Sequence, residues 1–228
     1  MKALILAAGR GERMRPLSDH TPKPLLPVHG KPLIEWHLEA LARAGVREVV
    51  VNTAWLEEQF PAALGNGSRY GVHIDYSFEG RDHGQALETA GGIAKALPLL
   101  GETFWVVSGD IWAPEFKFAS ADAHAFERSG ALGDLWFVPN RSWHPAGDFG
   151  IDADGLASRA STPRLTYANV ALFRAELFRD VAPGTRLALR PKFEEAIDRR
   201  ALRAQRWDGR WDNLGTPEQL AALNAAPG

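Results

Sequence analysis

One lysine, one aspartate and one glycine loop have residue types and spacings that suit a phosphorylated substrate. Lys23 is clamped between prolines in Thr21-Pro22-Lys23-Pro24, Asp110 closes the run Phe104-Trp105-Val106-Val107-Ser108-Gly109-Asp110, and Gly9-Arg10-Gly11-Glu12-Arg13 follows an apolar stretch. Glycines let a backbone turn tightly and bring its N–H groups against a phosphate. Flanking prolines stiffen the chain beneath Lys23, which lowers the entropy lost when its side chain is held, and an ammonium offers a point charge to a phosphoryl oxygen. A carboxylate at a strand end is a hard oxygen ligand of the kind Mg2+ takes together with substrate phosphates. Taken singly, each feature has a plainer reading: a strand-to-helix turn, a solvated lysine in a loop, a Gly-Asp turn. Two common phosphate motifs are excluded. A dinucleotide fingerprint needs a third glycine near position 14, where Met14 stands before Pro16, and no Gly-Lys-Ser/Thr closes a P-loop.

Regular elements must carry these residues to one place. Ala3 to Ala8 is a continuous apolar run, the pattern of a strand buried on both faces. Glu48 to Thr53, Val72 to Phe78 and Thr103 to Val107 read as further strands. Pro32 to Ala44, Trp55 to Leu64 and Thr89 to Leu97 read as helices between them. Such alternation implies parallel crossovers and an α/β sandwich, whose ligands bind beyond the carboxyl ends of the strands. That rule gives Gly9, Asn52 and Asp110 a shared address. In the second half, Leu132 to Val138 and Leu165 to Phe173 look like strands, and Lys192 to Ala201 and Pro217 to Asn224 like helices. Pro145 to Pro163 reads as a loop and short hairpin covering the site. Asn169 is a polar residue in an apolar run, facing either a ligand or a structural network.

Bulk properties narrow the classes. The 228 residues suit one large domain, and 45% hydrophobic content suffices for a core. A net charge of -2 gives no footprint for nucleic acid or an acidic membrane, so neither is expected as a partner. The absence of cysteine removes disulfides, thiolate zinc sites and cysteine nucleophiles. Arg10, Glu12, Arg13 and Arg15 follow the first apolar stretch too soon for a secretion signal, and a cytoplasmic location is expected.

The stretch from Leu6 to Ile34, LAAGRGERMRPLSDHTPKPLLPVHGKPLI, resembles the signature of sugar-1-phosphate nucleotidyltransferases. That pattern is a glycine loop ending in Arg, a spacer, Pro-Lys-Pro-Leu, then Val-x-Gly-x-Pro-Leu-Ile. The resemblance continues through Thr89-Ala90-Gly91-Gly92, Gly109-Asp110 and Trp211 to Thr216. It implies a three-layer α/β/α Rossmann-like sandwich with a mostly parallel mixed sheet, the nucleotide-diphospho-sugar transferase fold. One domain would span 1–228, with a nucleotide-binding half over about 1–115 and a sugar-binding half over about 116–228. The reaction implied is transfer of a nucleotidyl group from a nucleoside triphosphate to a sugar 1-phosphate, assisted by Mg2+ or Mn2+.

Carried onto this chain, the backbone at Ala7, Ala8, Gly9 and Gly11 would hold the nucleotide. Arg13 would meet the pyrophosphate leaving group, Lys23 would bridge the phosphates, and Asp110 would hold the metal. Glu88 and Gly91 are expected at the nucleoside, joined by Asn52 at its strand end. Gly147 and Asp148 are expected at the sugar, with Asn169 facing it. One departure stands out. In Trp211-Asp212-Asn213-Leu214-Gly215-Thr216 an asparagine occupies the position of the second metal-binding aspartate. Neighbours in a strand point to opposite faces, which favours Asn213 over Asp212 as the second ligand. Compact length, Asn52-Thr53-Ala54-Trp55, Leu87-Glu88-Thr89 and Gly147-Asp148-Phe149 resemble a subgroup acting on UTP and N-acetylmuramate 1-phosphate in cell-wall recycling. Alternatives are a mannose- or heptose-1-phosphate guanylyl transfer, or, because of Asn213, a nucleotide-binding regulatory protein that has lost catalysis.

Overall fold

The computed structural model describes residues 1–226. Seven strands form the main sheet: β1 (Lys2–Leu6), β2 (Glu48–Thr53), β3 (His73–Phe78), β4 (Thr103–Ser108), β5 (Gly133–Val138), β6 (Thr166–Arg174) and β7 (Leu202–Arg206). Their spatial order is β7-β5-β6-β4-β1-β2-β3. Every pairing is parallel except those of β6, which runs antiparallel to both β4 and β5. The helices are α1 (Leu33–Arg43), α2 (Gln59–Leu64), α3 (Glu79–His83), α4 (Glu88–Ala96), α5 (Ser120–Ser129), α6 (Leu189–Asp198) and α7 (Pro217–Ala225).

Alternation along the central strands builds the three layers. Ala3, Ile5, Val49, Val51, Trp105 and Val107 enter one core, where α1, α2 and α5 bring Leu38, Phe60 and Phe126. Leu4, Val50, Phe104 and Val106 enter the opposite core, against Ile93 of α4 and Phe193 of α6. Each of the valine, leucine, isoleucine and phenylalanine side chains contributes roughly 1.5–3 kcal/mol when fully buried, so the sheet is a rigid base for the loops at its edge. A third cluster packs Leu220 and Leu223 of α7 on Met14, Leu26 and Trp112, clipping the C-terminal segment to the loop that follows β1.

Several elements depart from the sequence reading. The strand β7 and the helices α3 and α5 carry too many charges to show a clear apolar period. In β7 only Leu202 and Ala204 face inward, because it is an edge strand. α6 begins at Leu189 rather than Lys192, since Pro191 is tolerated in a first turn. α2 begins only at Gln59, after Leu56 takes a left-handed backbone (φ 48°). The proline-stiffened segment Lys23–Leu25 takes the form of a short 3-10 turn. The covering region contains the expected hairpin, pairing Gly150–Ile151 with Ala157–Ser158.

Candidate active site

A cleft of about 1000 Å³ opens beyond the carboxyl ends of β1, β2 and β4. The backbone at Ala7, Ala8, Gly9 and Gly11 lines its floor, beside Arg13, Lys23 and Asp110. Asn52, Glu88, Asp148, Asn169 and Asn213 also reach it. Gly91 and Gly147 do not.

The glycine loop is shaped from below. Gly11 has φ +67°, a left-handed backbone that favours glycine, and a Cβ there would be in ordinary contact with Ser18 and Lys23. Its carbonyl accepts from the Ser18 hydroxyl at 2.7 Å and from the Met14 N–H at 2.8 Å. Gly9 lines the cleft and has open space where its Cβ would stand. The Arg13 guanidinium lies against Gly215, so the packing of α7 brings the 212–215 segment and the first loop together.

Lys23 and Asp110 meet across 87 residues of sequence. The Lys23 Nζ donates to Asp110 Oδ2 at 2.6 Å, and the Ser108 hydroxyl donates to Oδ1 at 2.7 Å. Pro24 leans on Gly109, where a Cβ would stand 3.2 Å from the proline ring, so the backbone of the Pro-Lys-Pro turn is wedged against the tip of β4. Burial pushes the Asp110 carboxyl up. The Lys23 charge and hydrogen bond, with that of Ser108, outweigh this and hold it below the usual carboxylate range. Beneath this pair, the buried His37 of α1 makes a 2.9 Å hydrogen bond from Nε2 to the Ile111 carbonyl. Burial lowers the His37 pKa to about 4, against the opposing pull of that carbonyl and of Asp110. The ring is neutral at pH 7 and donates from Nε2.

The second side of this wall of the cleft hangs on Asn52. Its Oδ1 accepts from the Ala7 N–H at 2.8 Å and its Nδ2 donates to Glu79 at 2.5 Å. Asn52 is thus committed to protein partners as well as lining the cleft. Glu88 faces the cleft and pairs with Arg186 at 2.7 Å. Gly91 serves packing rather than lining. Its N–H and that of Ala90 donate to the Leu187 carbonyl, and a Cβ would collide with the Thr185 carbonyl. The close approach that requires glycine here is to the chain itself.

The facing wall comes from the second half. Register shifts between Tyr167 and Ala171 in the pairing of β6 with β5, a bulge, and within it Asn169 takes φ 58°. Asparagine tolerates that conformation better than most residues, and a bulge re-aims a side chain. Among the described residues the Asn169 side chain has no hydrogen-bond partner, and it lines the cleft. The Ala168 carbonyl beside it accepts from the buried Trp211 indole at 2.9 Å. Asp148 Oδ2 accepts from the Tyr167 N–H at 2.8 Å, and Oδ1 lies 3.3 Å from His144 Nε2. Gly147 (φ +61°) shapes the turn before it, packed on Asn140 and Arg164. Trp143 is 47% exposed, lines the cleft and stacks on Trp211 at 6.0 Å and on His144 at 6.1 Å. Sequence reasoning passed over Ser108, His144, Arg186 and Arg190. Ser108 adjoins the Gly-Asp strand end and was visible there, whereas nothing local marks the other three.

Asn213 and Asp212 part as strand neighbours should. They pair with Ile111 and Trp112, and the Leu214 N–H donates to the Asp110 carbonyl at 2.9 Å. Asn213 faces the cleft. Asp212 turns toward Arg141, 4.0 Å away, and burial pushes its carboxyl up. Asp110 and Asn213 therefore offer one carboxylate and one amide oxygen from adjoining backbones. Among the described residues no three acidic or histidine side chains cluster as a metal cage. Such a sparse, all-oxygen set suits Mg2+ shared with substrate phosphates and does not suit a protein-only cage.

A sequence model of the nucleotidyl transferase family matches residues 2–159. The chain belongs to this family. Along its whole length the transferase is 44% identical to an N-acetylmuramate alpha-1-phosphate uridylyltransferase of Neisseria meningitidis serogroup B, covering 99% of that protein. It is 34% identical to the enzyme of the same name from Caulobacter vibrioides, over 98% of this chain and 95% of the other. The family fold is shared with a solved structure of HddC from Yersinia pseudotuberculosis, at TM-score 0.75 and 17% identity, covering 98% of this chain and 97% of that one. The transferase is an enzyme of the sugar-1-phosphate nucleotidyltransferase group. Among the described residues no helix is long and apolar enough to cross a membrane.

Proposed function

We propose that the cleft transfers a uridylyl group from UTP to N-acetylmuramate 1-phosphate, releasing pyrophosphate, in the cytoplasm and in the service of cell-wall recycling. Full-length similarity to two uridylyltransferases of that name supports the substrates. The observation that carries the chemistry is the 2.6 Å contact of Lys23 with Asp110 at the strand tips, in the cleft that Arg13 also lines.

In this reading the sugar-phosphate oxygen attacks the α-phosphorus in line, forming one P–O bond as the bond to the β-phosphate oxygen breaks. Two polyanions must meet, so charge neutralisation and orientation supply most of the acceleration. Lys23 meets the α-phosphoryl oxygens and Arg13 the departing pyrophosphate. The loop N–H groups from Ala8 to Gly11 orient the triphosphate. Asp110 and Asn213 would hold Mg2+, or Mn2+, which when bound supplies charge neutralisation at the phosphates. Asp148 and Asn169 orient sugar hydroxyls or the acetamido group, with Trp143 flanking the sugar.

Pyrophosphate release is the test, measured for UTP, GTP, dTTP and CTP against N-acetylmuramate, N-acetylglucosamine, mannose and heptose 1-phosphates. The expected result is the highest kcat/KM for UTP with N-acetylmuramate 1-phosphate, dependent on added Mg2+. A higher value for GTP with a mannose or heptose 1-phosphate would replace the substrate assignment. No turnover in any pairing would favour a regulatory role, which Asn213 motivates. Restoration of turnover by Asn213→Asp would then establish that role.

A further inference from the structure

Glu79 has no part in the chemistry above, yet it is fully buried and lies outside the cleft lining. Its Oε1 accepts from Asn52 Nδ2 at 2.5 Å and its Oε2 accepts from the Leu87 N–H at 2.7 Å. Asn52 Oδ1 accepts from the Ala7 N–H at 2.8 Å. One carboxylate therefore joins the root of the glycine loop to the residue before Glu88. Gly92 makes room for it: a Cβ there would stand 2.5 Å from Glu79 Oε1 and 2.7 Å from Asn52 Nδ2. Glu88 itself holds φ 61°, an uncommon conformation for glutamate that persists only where neighbours over-determine it. Here Glu79 grips the Leu87 N–H while the Leu187 N–H donates to the Leu87 carbonyl at 2.9 Å.

We infer that Glu79 is a positioning residue for nucleotide binding, tying the Ala7 N–H and the Glu88 turn into one preset wall through Asn52 and Leu87. The inference rests on the nucleotidyl-transfer reading of the cleft. Its logic is the direction of the donors. Ala7 N–H points at Asn52, Asn52 Nδ2 points at Glu79, and Leu87 N–H points at Glu79. The chain ends on a group that must accept on both oxygens, which a carboxylate does and a carboxamide does not. With Glu79→Gln the new NH2 faces either Asn52 Nδ2 or the Leu87 N–H. Turning the Asn52 amide over moves the donor–donor clash to Ala7, whose N–H keeps only its 3.1 Å bond to the Asn52 backbone carbonyl. A second change removes it. With Asn52→Asp added, the new carboxylate at position 52 accepts from Ala7 and from the new carboxamide, whose oxygen accepts from Leu87.

The experiment is steady-state kinetics on wild type, E79Q, N52D and the N52D/E79Q double variant, well below their melting temperatures. UTP is the nucleotide, or whichever triphosphate the wild type turns over. One unpaired buried donor is expected to raise the nucleotide KM of E79Q about tenfold, with the sugar 1-phosphate KM unchanged. N52D alone sets two carboxylates face to face and is expected to be impaired similarly. The double variant is expected to return the nucleotide KM to near the wild-type value. A purely structural role would lower Tm without this selective KM shift or its rescue. A folded E79Q with an unchanged nucleotide KM overturns the inference. So does a double variant no better, in fold or in KM, than the worse single one. If E79Q does not fold, recovery of both fold and KM in the double variant supports it. An inactive wild type would defeat the nucleotidyl-transfer reading instead, a separate outcome from an active wild type indifferent to E79Q.

Discussion

The two walls of the cleft are built on different physical terms. The first wall, which we propose binds the nucleotide, is made at the tips of parallel strands, where the glycine loop and Arg13 line the cleft beside the Lys23–Asp110 pair. The second wall, which we propose binds the sugar, is made from an antiparallel strand, β6, broken by a bulge, and from the turn before Asp148 and the exposed ring of Trp143. A triphosphate is a fixed pattern of charge that a short stiff loop can meet. A sugar is a constellation of hydroxyls and apolar faces, and long-range packing must aim each partner. The comparison predicts that changes on the first wall damage turnover, while changes on the second damage sugar affinity.

The largest effect tests the first half of that statement. Lys23→Ala and Asp110→Ala should each lower kcat by roughly 10³-fold, the upper end for loss of one preorganised electrostatic group. Circular dichroism should remain native, because both side chains face the cleft rather than a core. A folded variant with full turnover would remove that residue from the site.

His37 supplies a test of the support beneath this wall. Its folded pKa is lowered to about 4 from 6.5, so the unfolded chain binds the proton first as pH falls. Its contribution is whole above pH 6.5, declines below that, and is lost by pH 4, a total of roughly 3 kcal/mol. Urea midpoints should fall over this window, and His37→Gln, which still donates to Ile111, should flatten the fall. Midpoints that decline equally in both proteins would exclude His37 as the source.

On the proposed sugar wall, Asn169→Gly keeps the left-handed backbone and removes the side chain. It should raise the sugar 1-phosphate KM about tenfold, the worth of one or two hydrogen bonds, with the nucleotide KM unchanged. Asn169→Ala should add a stability loss of about 1 kcal/mol from the strained backbone, read as a lower Tm than the glycine variant. A shift in the nucleotide KM instead would break the division between the walls.

The smallest effect is expected where the walls meet. Asn213→Asp gives the ion a second carboxylate and should lower the Mg2+ concentration for half-maximal rate by about three- to tenfold, since ligand charge strengthens binding of hard cations. An unchanged Mg2+ dependence would mean that Asn213 does not ligate.

How much of this was legible in the chain depends on whether a residue's role is local. The central strands were readable from Ala3-Leu4-Ile5 and Val49-Val50-Val51, because burial on both faces leaves an uninterrupted apolar run. The glycine loop, the Pro-Lys-Pro turn and Asp110 were readable because each carries its own backbone logic within a few residues. The preference for Asn213 over Asp212 followed from strand alternation, and the structure places the two side chains on opposite sides. The packing of Gly91 was not legible: its closest neighbour is the 185–187 segment, nearly a hundred positions away, and spacing says nothing about such a partner. β7 was hidden because an edge strand needs apolar residues on only part of its surface.

Sequence alone thus determined the parallel core and the cationic loop, since periodicity and backbone stiffness act over a few residues. Tertiary structure alone decided that Lys23 meets Asp110, that the bulge aims Asn169 into the cleft, and that Glu79 binds two loops together. Those facts depend on which distant donors and acceptors are buried side by side, and burial is a property of the folded chain.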